Sequence, residues 1–258
     1  MDGTLPRNKS VYILPNLFTT ASLLAGFLGL LWAAAGSYES CACAVLFSAI
    51  MDGLDGKVAR MTHTSSEFGV QYDSLADLLA FGVTPSFLMF QYALKDFNSI
   101  GTAACFLFTV CAALRLARFN ISTATADKKF FTGLPSPAAG CTLASIVLFA
   151  PSLPEFLMQG IKGFALLCVV GLAFLMVSRI RYASFKELGF FKARPFRTMI
   201  PAILIIALIV AQPKIVTGIL LFGYIFSGMV YTFFTLPRLA KLANRIRRNT
   251  ETHGDHPY

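Results

Sequence analysis

Apolar residues in this chain come in blocks of about twenty, separated by short polar stretches that hold most of its lysines and arginines. Such blocks are too long for strands and show no wet face. A helix rising 1.5 Å per residue needs about 20 apolar residues to cross roughly 30 Å of hydrocarbon. The pattern predicts spans at Asn16–Gly36, Ser40–Met61, Gly69–Leu94, Ser99–Phe119, Ser136–Leu153, Gly160–Ile180, Met199–Gln212 and Ile215–Leu236. The seventh is short for a crossing. Pro85, Pro137 and Pro201 fall within or at the ends of spans, where neighbouring helices absorb the lost hydrogen bonds. The expected fold is therefore all-α: one polytopic membrane helix bundle of about eight transmembrane helices, covering residues 1–258 as a single domain. The polar start, Met1 to Lys9, precedes an apolar run long enough to span, so no cleaved leader is expected.

Composition agrees. Of 258 residues, 56% are hydrophobic and 14% charged, whereas a soluble domain carries roughly 25% charged residues. The six cysteines all lie in apolar blocks and read as small buried hydrophobes rather than disulfide or metal sites. A net charge of +9 invites a nucleic-acid partner, but its distribution argues against one. Alternate connections and the termini hold 19 of the 22 basic residues, and the other side holds only Lys95, Lys162 and Lys214. By the positive-inside rule both termini are cytoplasmic. The tail, residues 238–258, carries Arg245, Arg247 and Arg248 and reads as an anchor to anionic lipid.

Against this background four aspartates stand out. Asp52, Asp55, Asp73 and Asp77 lie inside predicted spans, although the chain has only 13 acidic residues. A carboxylate in hydrocarbon costs roughly 2.5–3.5 kcal/mol even on lenient scales, so each needs a partner or a task. Spacings of three and four put Asp52 with Asp55, and Asp73 with Asp77, on common helix faces. Two facing helices would present a cage of four carboxylates at the cytoplasmic end of the second and third spans. Oxygen-only cages suit hard divalent cations. His63, His253 and His256 lie outside the spans, which disfavours zinc. Gly53, Gly56, Ala59 and Gly69 interleave the acids; they serve either close helix packing or access of a phosphate ligand to the backbone. Arg60, one turn past Gly56, is suited to pairing with phosphate oxygens. Metal and arginine around a pyrophosphate is the arrangement phosphoryl transfer requires.

The pattern Asp55-Gly56-x-x-Ala59-Arg60, eight residues, Gly69-x-x-x-Asp73-x-x-x-Asp77 resembles the signature of the CDP-alcohol phosphatidyltransferases, with Asp52 matching the additional acid before it. The resemblance implies two metal ions, Mg or Mn with Ca possible, held by Asp52, Asp55, Asp73 and Asp77, with Asp77 also the general base. It implies CDP-diacylglycerol contacts at Gly56, Ala59, Arg60, Ser66 and Gly69, and at Asn16 and Thr19 of the first span. The implied reaction is direct displacement: an acceptor hydroxyl attacks the β-phosphorus of CDP-diacylglycerol and CMP leaves. Family members are typically homodimers in the cell's inner (plasma) membrane, with the site facing the cytoplasm.

Three further stretches resemble the serine-accepting branch of that family, which implies L-serine as acceptor: Ala113–Asn120, Phe131–Ala139 and Ser178–Lys186. Arg115 and Arg118, three apart on one helical face, are candidate acceptor contacts, with interfacial anchoring as the alternative. A relative accepting glycerol 3-phosphate or an inositol phosphate is the main rival. A cation transporter is a distant one, because transporters place acids near the midplane and often carry inverted repeats, and neither is visible here. An aspartate-rich prenyltransferase would share the metal–diphosphate chemistry but gives no reason for Gly56, Ala59 and Arg60 at these spacings. The last two spans carry nothing diagnostic.

Overall fold

The computed structural model describes residues 13–62, 66–122, 131–158, 160–178, 180–182, 212–230 and 232. Helices dominate: α1 (Ile13–Ala34), α2 (Tyr38–Thr62), α3 (Glu67–Asp77), α4 (Thr84–Met89), α5 (Asn98–Ser122), α6 (Ser136–Phe149), α7 (Glu155–Met158), α8 (Ile161–Val177) and α9 (Pro213–Val230). One addition to the all-α expectation is a two-residue antiparallel pairing of β1 (Phe131–Thr132) with β2 (Arg181–Tyr182). Six of the expected spans coincide with helices to within a few residues, and a seventh, Ile215–Leu236, is helical as far as Val230; residues 199–211 of the span Met199–Gln212, and residues 231 and 233–236, lie outside the described residues.

The third span is a helix with two changes of pitch. Wide, π-type turns at Leu78–Val83 and Phe90–Leu94 flank α4. Pro85, in the first turn of α4, has no N–H to offer the carbonyl of Phe81 four residues earlier. Thr84 tightens the same turn, its hydroxyl donating to Leu79 O (2.9 Å) and across to Gly26 O on α1 (3.0 Å). The chain then reverses at Lys95–Phe97 and Asn98, whose φ of 48° is left-handed. α5 returns beside α4, with Ser86 Oγ donating to Cys105 O at 2.8 Å.

Packing centres on α6. Every residue from Ala139 to Leu148 is buried, so this short helix is apolar all round because it is covered all round. Gly140 lets it approach the wide turn, where a Cβ would sit 2.9 Å from Phe81 O. Around this centre the other helices keep an apolar face outward. Leu17, Leu24 and Leu31 line α1 at seven-residue intervals; Phe106 and Leu114 on α5, Leu167 and Phe174 on α8, and Ile219 and Phe226 on α9 are likewise exposed. Exposed apolar area on this scale fits a lipid solvent, not water. Asn16–Ala34 and Glu67–Ile121 are long and apolar enough to cross a membrane.

Five cysteines are buried and free as expected, but Cys43 points outward, since two residues along a helix is just over a half-turn from Cys41. Ion pairs Lys162–Asp96 and Lys214–Glu39 tie the starts of α8 and α9 to the turn before α5 and to the start of α2. Both lie at the end of the bundle away from the aspartates, which occupy the second half of α2 and the second half of α3.

Candidate metal and nucleotide site

α2 delivers Asp52 and Asp55 one turn apart, and α3 delivers Asp73 and Asp77 one turn apart. The two pairs converge. One carboxylate oxygen each from Asp52, Asp55 and Asp73 lie within 4.8 Å of one another. Asp77 joins them within electrostatic range of Asp52, Asp55 and Asp73. Asp55 and Asp77 are buried, Asp52 and Asp73 half-buried.

Two unit charges 4 Å apart interact by about 4 kcal/mol at an effective dielectric constant near 20, so four clustered carboxylates repel strongly. Arg115 on α5 is a basic group in range of Asp52 and Asp77, and one guanidinium cannot balance four acids. Cations can. Hard divalent ions take oxygen ligands at about 2.0–2.6 Å, which allows ligand oxygens up to roughly twice that distance apart. The 4.8 Å spread of the triad fits that limit, and its donors are all oxygen. The residues therefore suit a divalent metal.

The surroundings give each aspartate an orientation. Thr19, buried on α1, donates its hydroxyl to Asp55 Oδ2 at 3.0 Å. The neighbouring Thr20 meets Tyr72 Oη of α3 at 3.0 Å. Ser66 caps α3, its Oγ accepting the Gly69 N–H at 3.0 Å. A Cβ on Gly69 would meet Ser66 Oγ at 3.1 Å and Asn16 Oδ1 at 3.5 Å, so the expected residues Asn16, Ser66 and Gly69 do come together. Gly56 and Ala59 are half-buried on the closing turns of α2. Gly53 faces open space, so close packing does not account for it. The side chain of Arg60 and the loop residue His63 lie outside the described residues.

The two candidate acceptor arginines part company. Arg118 is exposed and donates to Val177 O at 3.3 Å, capping the end of α8. Arg115 turns toward the carboxylates, donates from Nη1 to Ser136 Oγ at 2.7 Å and lies over the Phe119 ring at 5.8 Å. A further polar set fixes α3 on α5: Asn120 Nδ2 donates to Gln71 Oε1 (3.1 Å) and Ser74 Oγ (3.0 Å), one residue from Asp73.

Two residues near Arg115 were not singled out by the sequence. Ser136 sits inside a stretch whose resemblance was noted, so its neighbourhood carried a signal. Tyr224 on α9 also reaches Arg115 electrostatically, and nothing in its local sequence marks it.

A family model described as CDP-alcohol phosphatidyltransferase matches residues 12–175. A CDP-diacylglycerol–serine O-phosphatidyltransferase of Helicobacter pylori (strain ATCC 700392 / 26695) is 36% identical over 229 residues, which cover 89% of this chain and 94% of the relative. An archaetidylserine synthase of Methanothermobacter thermautotrophicus is 34% identical over 182 residues, 70% of this chain and 73% of its own. A CDP-diacylglycerol–serine O-phosphatidyltransferase of Bacillus subtilis (strain 168) is 31% identical over 174 residues, 67% of this chain and 92% of its own.

Proposed function

Because the chain belongs to the CDP-alcohol phosphatidyltransferase family, we propose that it transfers the phosphatidyl group of CDP-diacylglycerol to the hydroxyl of L-serine and releases CMP. The observation that carries this reading is the convergence of Asp52, Asp55 and Asp73 within 4.8 Å, with Asp77 in electrostatic range, in a chain that matches a relative with a serine-transferase name over 89% of its length.

In this reading Asp52, Asp55, Asp73 and Asp77 would hold two Mg or Mn ions, with Ca possible, and the bound ions would supply charge neutralisation and alignment of the diphosphate. The chain's own groups do the rest. Thr19 fixes the Asp55 carboxylate through its hydroxyl. Gly56, Ala59, Arg60, Ser66, Gly69 and Asn16 line the place of the CDP moiety. Asp77 takes the proton of the serine hydroxyl as its oxygen bonds to the β-phosphorus. The bond from that phosphorus to the CMP oxygen breaks, and CMP carries away the electron pair. No covalent enzyme intermediate is involved. Arg115 receives the acceptor's carboxylate, and Arg118 lies at the margin of that pocket.

The protein in this reading is a multi-pass homodimer of the inner (plasma) membrane with both termini and the site toward the cytoplasm. Serine arrives from the cytosol and CDP-diacylglycerol from the adjoining leaflet. A headgroup panel tests the assignment: purified protein, CDP-diacylglycerol, Mg²⁺ or Mn²⁺, and labelled serine, glycerol 3-phosphate or an inositol phosphate offered separately. Label is expected in lipid with serine alone. Product from glycerol 3-phosphate alone would assign the chain to another branch of the family.

A further inference from the structure

Arg115 is held in an unusual posture for a guanidinium near acids. It lies in electrostatic range of Asp77 and Asp52, yet makes no ion pair with them within 4.0 Å. A guanidinium in a low-dielectric interior would close onto a carboxylate unless something restrains it. The restraint is visible. Nη1 donates to Ser136 Oγ at 2.7 Å, and Ser136 is fully buried at the start of α6.

The position of Ser136 is itself tightly set. Gly133 has φ +89°, and a Cβ there would lie 2.3 Å from Met176 O, so only glycine fits. Its N–H donates to Ile180 O at 2.8 Å, and that of Leu134 to Leu175 O at 3.0 Å. The segment before α6 is thus fastened to the end of α8, and Pro135 and Pro137 stiffen the chain on either side of Ser136.

We propose that Ser136 positions Arg115 for the acceptor by holding its guanidinium through the Nη1–Oγ hydrogen bond. Held back from the acids, the planar fork is ready for a bidentate carboxylate. Ser136 acts through Arg115 and is a positioning residue. This inference rests on the assignment of serine as acceptor and of Arg115 as its carboxylate contact.

The test uses the full chain in lipid–detergent micelles with CDP-diacylglycerol and Mg²⁺, comparing wild type, Ser136→Ala and Ser136→Thr. Loss of one hydrogen bond to a charged group corresponds to about a tenfold effect. Ser136→Ala is expected to raise the serine KM about that much, with the CDP-diacylglycerol KM unchanged and kcat falling less than the serine KM rises. Ser136→Thr, which keeps the hydroxyl, is expected to restore the serine KM. Wild-type protein that makes product only from another acceptor would remove the underlying reading. Wild type that uses serine, with serine KM unmoved in Ser136→Ala, would overturn this inference alone. A parallel loss in both substrates' constants, unrescued by threonine, would also overturn it, by showing a merely structural role.

Discussion

At the scale of single residues, the four aspartates differ in what surrounds them, and their variants should differ accordingly. Asp52, Asp55 and Asp73 supply the close oxygen triad. Alanine at any one of them is expected to abolish metal-dependent CMP release while leaving membrane insertion intact; near-wild-type turnover in one would remove it from the metal set. Asp77→Asn keeps the shape and loses the base, so kcat should fall by about 10²–10⁴, the usual contribution of a positioned general base. Retention of tight Mn²⁺ binding in that variant would separate its proton-accepting task from its ligand task. Thr19 is read differently by structure and by resemblance. Its hydroxyl is donated to Asp55, which makes it an orienting partner of a metal ligand. Loss of such partners typically costs 10–100-fold in metal affinity. Thr19→Val should therefore raise the Mg²⁺ concentration needed for half-maximal activity by about that factor, with saturating Mg²⁺ recovering most of the rate. A raised CDP-diacylglycerol KM at saturating Mg²⁺ would instead mark Thr19 as a nucleotide contact.

At the scale of elements, the helices were readable because lipid imposes a length on apolar runs, and length survives without any knowledge of packing. The aspartate pairs were readable because one helical turn fixes which residues share a face. What the sequence could not show was pitch and approach. The wide turns around α4 follow from contacts of Thr84 and from how closely α6 comes, and Gly140 looks like any other glycine in a membrane helix. Glycines with crowded and open surroundings give a direct check. Gly140→Ala would press a methyl to 2.9 Å from Phe81 O and should destabilise by about 1–3 kcal/mol. Gly171→Ala on α8 meets nothing within 4 Å and should be neutral or stabilising by up to about 1 kcal/mol, since alanine is the better helix former. Unfolding midpoints of the two variants in the same detergent would order them; equal midpoints would refute the close α6 approach.

At the scale of the whole molecule, the two ends of the bundle carry opposite electrical characters. The sequence allots only Lys95, Lys162 and Lys214 to the outer side. Of these, Lys162 and Lys214 are tied to Asp96 and Glu39. The pairing with Lys162 holds the Asp96 carboxyl below its ordinary value. The far end is thus close to electrically neutral within its own contacts, whereas the end bearing the aspartates also bears the bulk of the arginines. Orientation depends on uncompensated Lys and Arg near short loops, so the aspartate end should be retained in the cytoplasm. Alkaline phosphatase, active only outside, is then expected to be active when fused after Lys162 and inactive when fused after His63. The opposite result would put the carboxylates on the face away from cytosolic serine, and with it the proposed encounter of serine, metal and CDP-diacylglycerol would fail. Replacing Asp96 and Glu39 by neutral residues would leave two lysines uncompensated on the outer side. By the same rule, three positive charges against nineteen are too few to invert the chain, so the fusion pattern should hold in that double variant.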